Sequence, residues 1–183
     1  MKGIIFNLLE EVVTNNHGSE VWDRLLDDAA LDGAYTSLGN YPDASMQALV
    51  MAASRTLDVT PFDVLRWFGQ QAMPLLANLY PGFFSAQPST RLFLLSVNSI
   101  IHPEVRKLCP QADCPTFEFR DAPDGALLMG YCSPRRLCAL AQGFTEGAAA
   151  HYGETVSFEH RLCMHRGDES CLCHIAFSPG EKG

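Results

Sequence analysis

Three groups of side chains in this 183-residue chain have types and spacings suited to chemistry. The first is one imidazole, His102, at the end of the apolar run LFLLSVNSII. A neutral imidazole ligates iron, zinc and copper. No other histidine lies between residues 18 and 150, so a metal in that part of the chain has one evident axial ligand. In isolation, a histidine in this setting is more often a core or capping residue. The second group is Tyr131-x-Ser133-x-Arg135. On a strand, side chains two apart share a face. A phenol, a hydroxyl and a guanidinium then line up, and arginine grips a carboxylate bidentately while hydroxyls add donors. The plainer alternative is an ordinary half-exposed strand. The third group is the C-terminal collection Cys138, His160, Cys163, His165, Cys171, Cys173 and His174. Four sulfur and nitrogen ligands suit tetrahedral Zn(II). His160-x-x-Cys163 and Cys171, across the turn HRGDES, supply three ligands from one hairpin, and Cys138 closes the set from a helix. Residues 160 and 163 have opposite parity on a regular strand, so a bulge or bend is required. Cys173 could replace Cys171, and His165 could replace Cys163. Small buried cysteines beside surface histidines are the simpler reading.

The elements that must position these groups follow from periodicity. Helices are expected over residues 2–17, from Ser19 to Gly33, from Asp43 through Leu57, from Thr60-Pro61 with a kink or break at Pro74, and from Thr90 to about Cys109. Leu95, Ser99 and His102 would share one face of the last, and Pro103 should push His102 out of the α conformation. Residues 80–90 read as a loop. At Thr116 the period changes to two: a strand to Asp121, the turn Ala122-Pro-Asp-Gly125, and a returning strand from Ala126 to Ser133. A helix from Arg135 to about His151 and two more strands complete the chain. Helices followed by strand–strand–helix–strand–strand give an α+β fold, with a four-stranded antiparallel sheet at the C-terminal end.

Composition narrows the function. With 47% hydrophobic and 19% charged residues the chain is globular. The formal charge is -8 and no basic run exists, which excludes a nucleic-acid partner. No segment approaches the ~18 apolar residues of a membrane span. The start MKGIIFNLLEEVV has a helical period and lacks the form of a signal peptide, so a cytoplasmic location is expected. An odd seven cysteines in a reducing compartment favour metal ligation or free thiols over disulfides. Cys109, Cys114 and Cys132 are rival axial ligands. Cys114 is locked beside Pro115, and Cys132 points opposite Tyr131 and Ser133.

His102, then Pro115 thirteen residues later, then Tyr131-x-Ser133-x-Arg135 after sixteen more, together resemble the H-NOX family of haem nitric oxide/oxygen-binding domains. That family includes the haem domain of soluble guanylate cyclase. The stretches MKGIIFNLLEEVV and HPEVRKLCPQADCPTF also look like it, and the resemblance covers nearly the whole chain. It implies one H-NOX domain, 1–183, with a helical lobe over 1–60 and a haem lobe with the C-terminal sheet over 61–183. It further implies ferrous haem b ligated by His102, with propionates gripped by Tyr131, Ser133 and Arg135. Pro115 and Ile5 would press on the porphyrin and distort it. Pro103 and Pro134 are local departures from the pattern that bear on the tilt of His102 and the last strand hydrogen bonds.

Distal polarity selects the gas. Oxygen-binding relatives supply a tyrosine from the helix after the motif. Residues 136–151 contain none, and that helix offers Leu140 and Phe144, while the first helix offers Ile5 and Leu9. An apolar distal side favours NO and CO over O2, so an NO sensor without catalysis of its own is expected. A haem enzyme or oxygen carrier would need a distal His, Arg or Tyr. NO would weaken the iron–His102 bond, the helical lobe would shift, and a separate partner would read the shift: a histidine kinase, or a diguanylate cyclase or phosphodiesterase of cyclic-di-GMP. Action in trans is expected because no effector domain accompanies the sequence, and the protein should be a monomer. The set Cys138, His160, Cys163, Cys171 also resembles the zinc-bearing subset of bacterial H-NOX proteins. A zinc/thiol redox sensor built on that cluster is the alternative function.

Overall fold

In the computed structural model, which describes residues 1–108 and 114–180, four helices come first: α1 (Gly3–His17), α2 (Ser19–Ala29), α3 (Asp43–Leu57) and α4 (Pro61–Leu79). Their apolar stripes meet in one core containing Phe6, Leu9 and Val13 of α1, Leu49 of α3, and Val64 and Phe68 of α4. Phe68 is 1% exposed, and truncating a side chain so buried costs about 3–5 kcal/mol. Thr60 caps α4 by accepting from the Asp63 N–H, with Pro61 in the first turn. Two boundaries differ from expectation. α2 stops before Ala30, itself left-handed at φ 54°, and not at Gly33. α4 continues through Pro74 as one helix. It is packed along its whole length, with Val64, Leu65 and Phe68 in the first core and Met73 and Ala77 in a second.

The stretch 80–90 is not all loop. Pro81 opens a short helix, α5 (Pro81–Ser85), where its missing N–H costs nothing. The expected single helix carrying His102 is three pieces: α6 (Thr90–Ser96), a π-helical turn (Val97–Ile101) and α7 (His102–Leu108). The His102 N–H donates to the Val97 carbonyl, five residues back. His102 itself is α-helical (φ -62°, ψ -38°), so the irregularity lies before it and Pro103 does not displace it.

The sheet is antiparallel in the order β1-β2-β4-β3, from β1 (Thr116–Asp121), β2 (Leu127–Cys132), β3 (Glu154–Leu162) and β4 (Cys171–Pro179). Period-two burial sends Leu127, Met129 and Tyr131 of β2 and Cys171, Cys173 and Ile175 of β4 into the second core. α8 (Cys138–His151) connects β2 to β3 and crosses α4 at close range. A Cβ on Gly143 would collide with the Arg66 carbonyl, and one on Gly69 would sit 2.7 Å from the Phe144 nitrogen. The helix expected from Arg135 begins three residues later, at Cys138. Residues 133–137 form a turn, with the Arg136 N–H bonded to the Ser133 carbonyl at 3.0 Å and Arg136 left-handed at φ 51°. Among the described residues no helix is long and apolar enough to cross a membrane.

Candidate functional site

His102 begins α7 and is half-buried, its ring stacked on Phe117 of β1 (centroids 6.1 Å apart, planes 26° apart). Phe117 in turn lies 5.7 Å from Tyr131, so an aromatic path joins the imidazole to the hydroxyl motif. Burial pushes the His102 pKa down to about 4, the Arg106 charge adds to this, and the backbone of Pro115 offsets a part. The ring is neutral at pH 7, the state that binds metals. Its Nδ1 is buried and completes no hydrogen bond among the described residues. A neutral, shielded imidazole with an unsatisfied nitrogen fits an axial ligand to haem iron. Pro115, half-buried, directly precedes β1 beside it.

Tyr131, Ser133 and Arg135 do not lie along one strand, because β2 ends at Cys132. The turn brings them together instead. Tyr131 and Ser133 are buried and Cys132 is exposed, as the alternation predicts. The Tyr131 hydroxyl accepts from the Leu137 N–H at 2.9 Å, and Ser133 Oγ accepts from the Arg135 N–H at 3.3 Å. Burial raises the Tyr131 pKa, so the phenol stays protonated. Arg135 Nε donates to Asp43 Oδ2 at 2.8 Å, while Asp43 Oδ1 accepts from the N-terminal ammonium of Met1 at 2.7 Å. Burial raises the Asp43 pKa, but those two cations outweigh it and hold the carboxyl below its usual range. Asp43 reads as a helix cap in sequence. It makes no capping hydrogen bond here, and no local signal marks it as the partner of Arg135.

Leu9 and Leu140 are buried in the first core, and Ile5 and Phe144 pack against it. The four expected distal residues thus all belong to, or pack against, the first core. Asn98, unremarked in the sequence, bonds the backbone of Phe117 from the π turn.

At the start of α8, the sulfurs of Cys138, Cys163 and Cys171 lie within 4.8 Å of one another, all buried. The required irregularity is present as a register shift between His160 and Leu162. Burial, then the neighbouring sulfurs Cys171 and Cys163, raise the Cys138 pKa. Three clustered sulfurs are the donor set that Zn(II) takes. His160 stands outside the trio, its Nε2 3.0 Å from Gln142 Oε1 and its Nδ1 3.6 Å from Cys173 Sγ. Burial pushes the Cys173 thiol up to about 12. His165 faces away, its Nε2 2.7 Å from the Arg136 carbonyl. Gln142 also donates to Glu146, which accepts from Arg66 and Gln70 of α4. Of the rival ligands, Cys114 is half-buried beside Pro115 and Cys132 is exposed, while Cys109 lies outside the described residues. A depression of about 380 Å³ lined by Ser89, Arg91, Asp124 and Glu154 lies at the opposite end of β1 and β2 from His102 and contains none of these groups.

A model of the family described as Haem-NO-binding matches residues 2–160. An H-NOX protein from S. oneidensis in the Fe(II)NO ligation state is 32% identical with a TM-score of 0.91, over 97% of this chain and 99% of that one. Unliganded Fe(II) H-NOX from K. algicida is 26% identical with a TM-score of 0.87 and full coverage of both chains. An IWP-051-bound H-NOX from Shewanella woodyi in the Fe(II)CO state is 27% identical with a TM-score of 0.83, over 100% of this chain and 97% of that one.

Proposed function

The chain belongs to the haem-NO-binding family, the H-NOX domains, which are haem-based gas sensors, and on that premise we propose that it senses nitric oxide and regulates a separate signalling protein. The observation that carries this reading is His102: half-buried, neutral, stacked on Phe117, with a buried ring nitrogen that no group among the described residues satisfies. A bound haem b would be held at its iron by His102 and would supply a ferrous centre that takes NO or CO, with NO loosening the hold of His102. Tyr131, Ser133 and Arg135 would hold the propionates, with Arg135 giving up or sharing its bond to Asp43. Pro115 and Ile5 would pack against the porphyrin.

Ile5, Leu9, Leu140 and Phe144 offer no hydrogen-bond donor to a bound gas, which disfavours O2 relative to NO and CO. A loosened His102 would free α7, which it begins. The helical lobe (1–60) then shifts against the haem lobe (61–183), and the partner reads the change. The partner class is a histidine kinase or a cyclic-di-GMP cyclase or phosphodiesterase, met in the cytoplasm by a monomeric sensor. Cys138, Cys163 and Cys171 would hold Zn(II), with His160 turning from Gln142 to serve as fourth ligand, and the metal would staple α8 to the β3–β4 hairpin. Absorption spectra of the reduced, haem-loaded protein test the reading. A five-coordinate NO spectrum, a CO spectrum and no stable spectrum of an O2 complex in air are expected, whereas a persistent O2 complex would overturn the NO assignment.

A further inference from the structure

β1 is an edge strand, so alternate residues along it present backbone N–H and C=O groups with no strand partner. At Phe117 both groups are taken by one side chain. The Phe117 N–H donates to Asn98 Oδ1 at 3.3 Å, and Asn98 Nδ2 donates to the Phe117 carbonyl at 2.5 Å. A primary amide carries a donor and an acceptor side by side, as a peptide does, so Asn98 serves as a one-residue neighbouring strand. Aspartate lacks the donor and leucine lacks both groups.

The clamp grips the helix at a special place. Asn98 lies in the π turn that precedes His102, and π turns inside α-helices recur at functional sites. The turn changes the phase of the helix. Leu95 and Ser99, which an uninterrupted α-helix would align with His102, are exposed while the imidazole is half-buried. The residue whose backbone Asn98 holds is also the residue whose ring stacks on the imidazole. Backbone clamp and ring stack therefore fix the same helix against the same residue, from two points four positions apart.

We infer that Asn98 is the positioning residue for His102: its amide clamp on Phe117 holds the π turn and so sets the rotation at which the imidazole meets its metal. The inference rests on the haem reading of His102 and is independent of which gas binds. Asn98 acts through the backbone and touches no reacting atom.

Resonance Raman spectra of the ferrous, haem-loaded protein read the iron–histidine stretch, and amide hydrogen exchange reads the Phe117 N–H. Wild type, N98A, N98D and S99A are compared, Ser99 being an exposed neighbour in the same turn. N98A is expected to shift or broaden the iron–histidine band and to speed Phe117 exchange about tenfold, as loss of a hydrogen bond allows. N98D keeps the acceptor for the Phe117 N–H and should fall between, and S99A should match wild type. If N98A fails to fold, N98D against S99A carries the same test. A normal wild-type band left unchanged by loss of the clamp would overturn this inference alone. A wild-type protein with no iron–histidine band would remove the haem reading and this inference with it.

Discussion

Asp43 Oδ2 and Arg135 Nε lie 2.8 Å apart, joining the first turn of α3 to the turn that follows β2. The other oxygen of the same carboxylate holds the N-terminal ammonium of Met1. One acidic side chain thus ties the chain's first residue and its arginine anion grip to the helical half. A haem propionate at Arg135 would share or replace that tie.

Replacing Asp43 with Asn leaves both cations short of their anion. Asp43 is partly exposed, so solvent limits the cost to under about 1 kcal/mol at pH 7. The Asp43 pKa is lowered on folding, so its contribution is present above the unfolded value near 4 and is lost as pH falls through the folded value. Urea titrations of wild type and D43N should therefore differ at pH 7 and converge as pH falls below the unfolded value. Equal stability at pH 7 would show the tie to be energetically idle.

Gly143 sits where α8 crosses the Arg66 carbonyl of α4. A methyl there cannot be absorbed by rotating a side chain, because the obstacle is backbone. G143A should lose about 2–3 kcal/mol of stability by thermal unfolding, within the range for overpacking. A change under about 0.5 kcal/mol would mean that the helices separate freely.

Cys138 and Cys163 are both buried, with sulfurs 3.9 Å apart and Cys171 in the same cluster. Protein grown with zinc should carry one zinc per chain by elemental analysis, and C138S or C163S should lose it while keeping haem. Full zinc retention in both variants would place the metal elsewhere. Loss in C138S but not in H160A would leave the fourth position to Cys173 or water.

Leu140 is 7% exposed and belongs to the first core. L140Y adds a phenol donor there at about 1–3 kcal/mol of overpacking. The reduced variant should give a longer-lived O2 complex in air than wild type. No gain in lifetime would show that position 140 does not face the bound gas.

Features with local causes were legible in the sequence. Thr60, Pro61 and Asp63 mark the start of α4 by capping chemistry alone, and the change of period at Thr116 marks the sheet. Tyr131 and Ser133 keep the expected alternation with Cys132, although the strand that was to align them with Arg135 ends at Cys132 and a turn brings the three together. The π turn was not legible. Val97–Ile101 contains no Gly or Pro, and its anchor is Phe117, nineteen residues away in another element. Asp43 was hidden for a similar reason, since its partners are Met1 and Arg135. The ligand spacing found three of the four proposed zinc ligands in one place. His160 turns instead to Gln142 of α8, a contact that hairpin spacing cannot encode.

Whether His102 holds a haem through its iron is read from the haem content and absorption of H102G beside wild type. Reduced wild type should carry haem with a histidine-ligated ferrous spectrum. H102G should lose haem, and regain it with that spectrum when imidazole is added during expression. An H102G protein that keeps stoichiometric haem and an unchanged spectrum without imidazole would contradict the account.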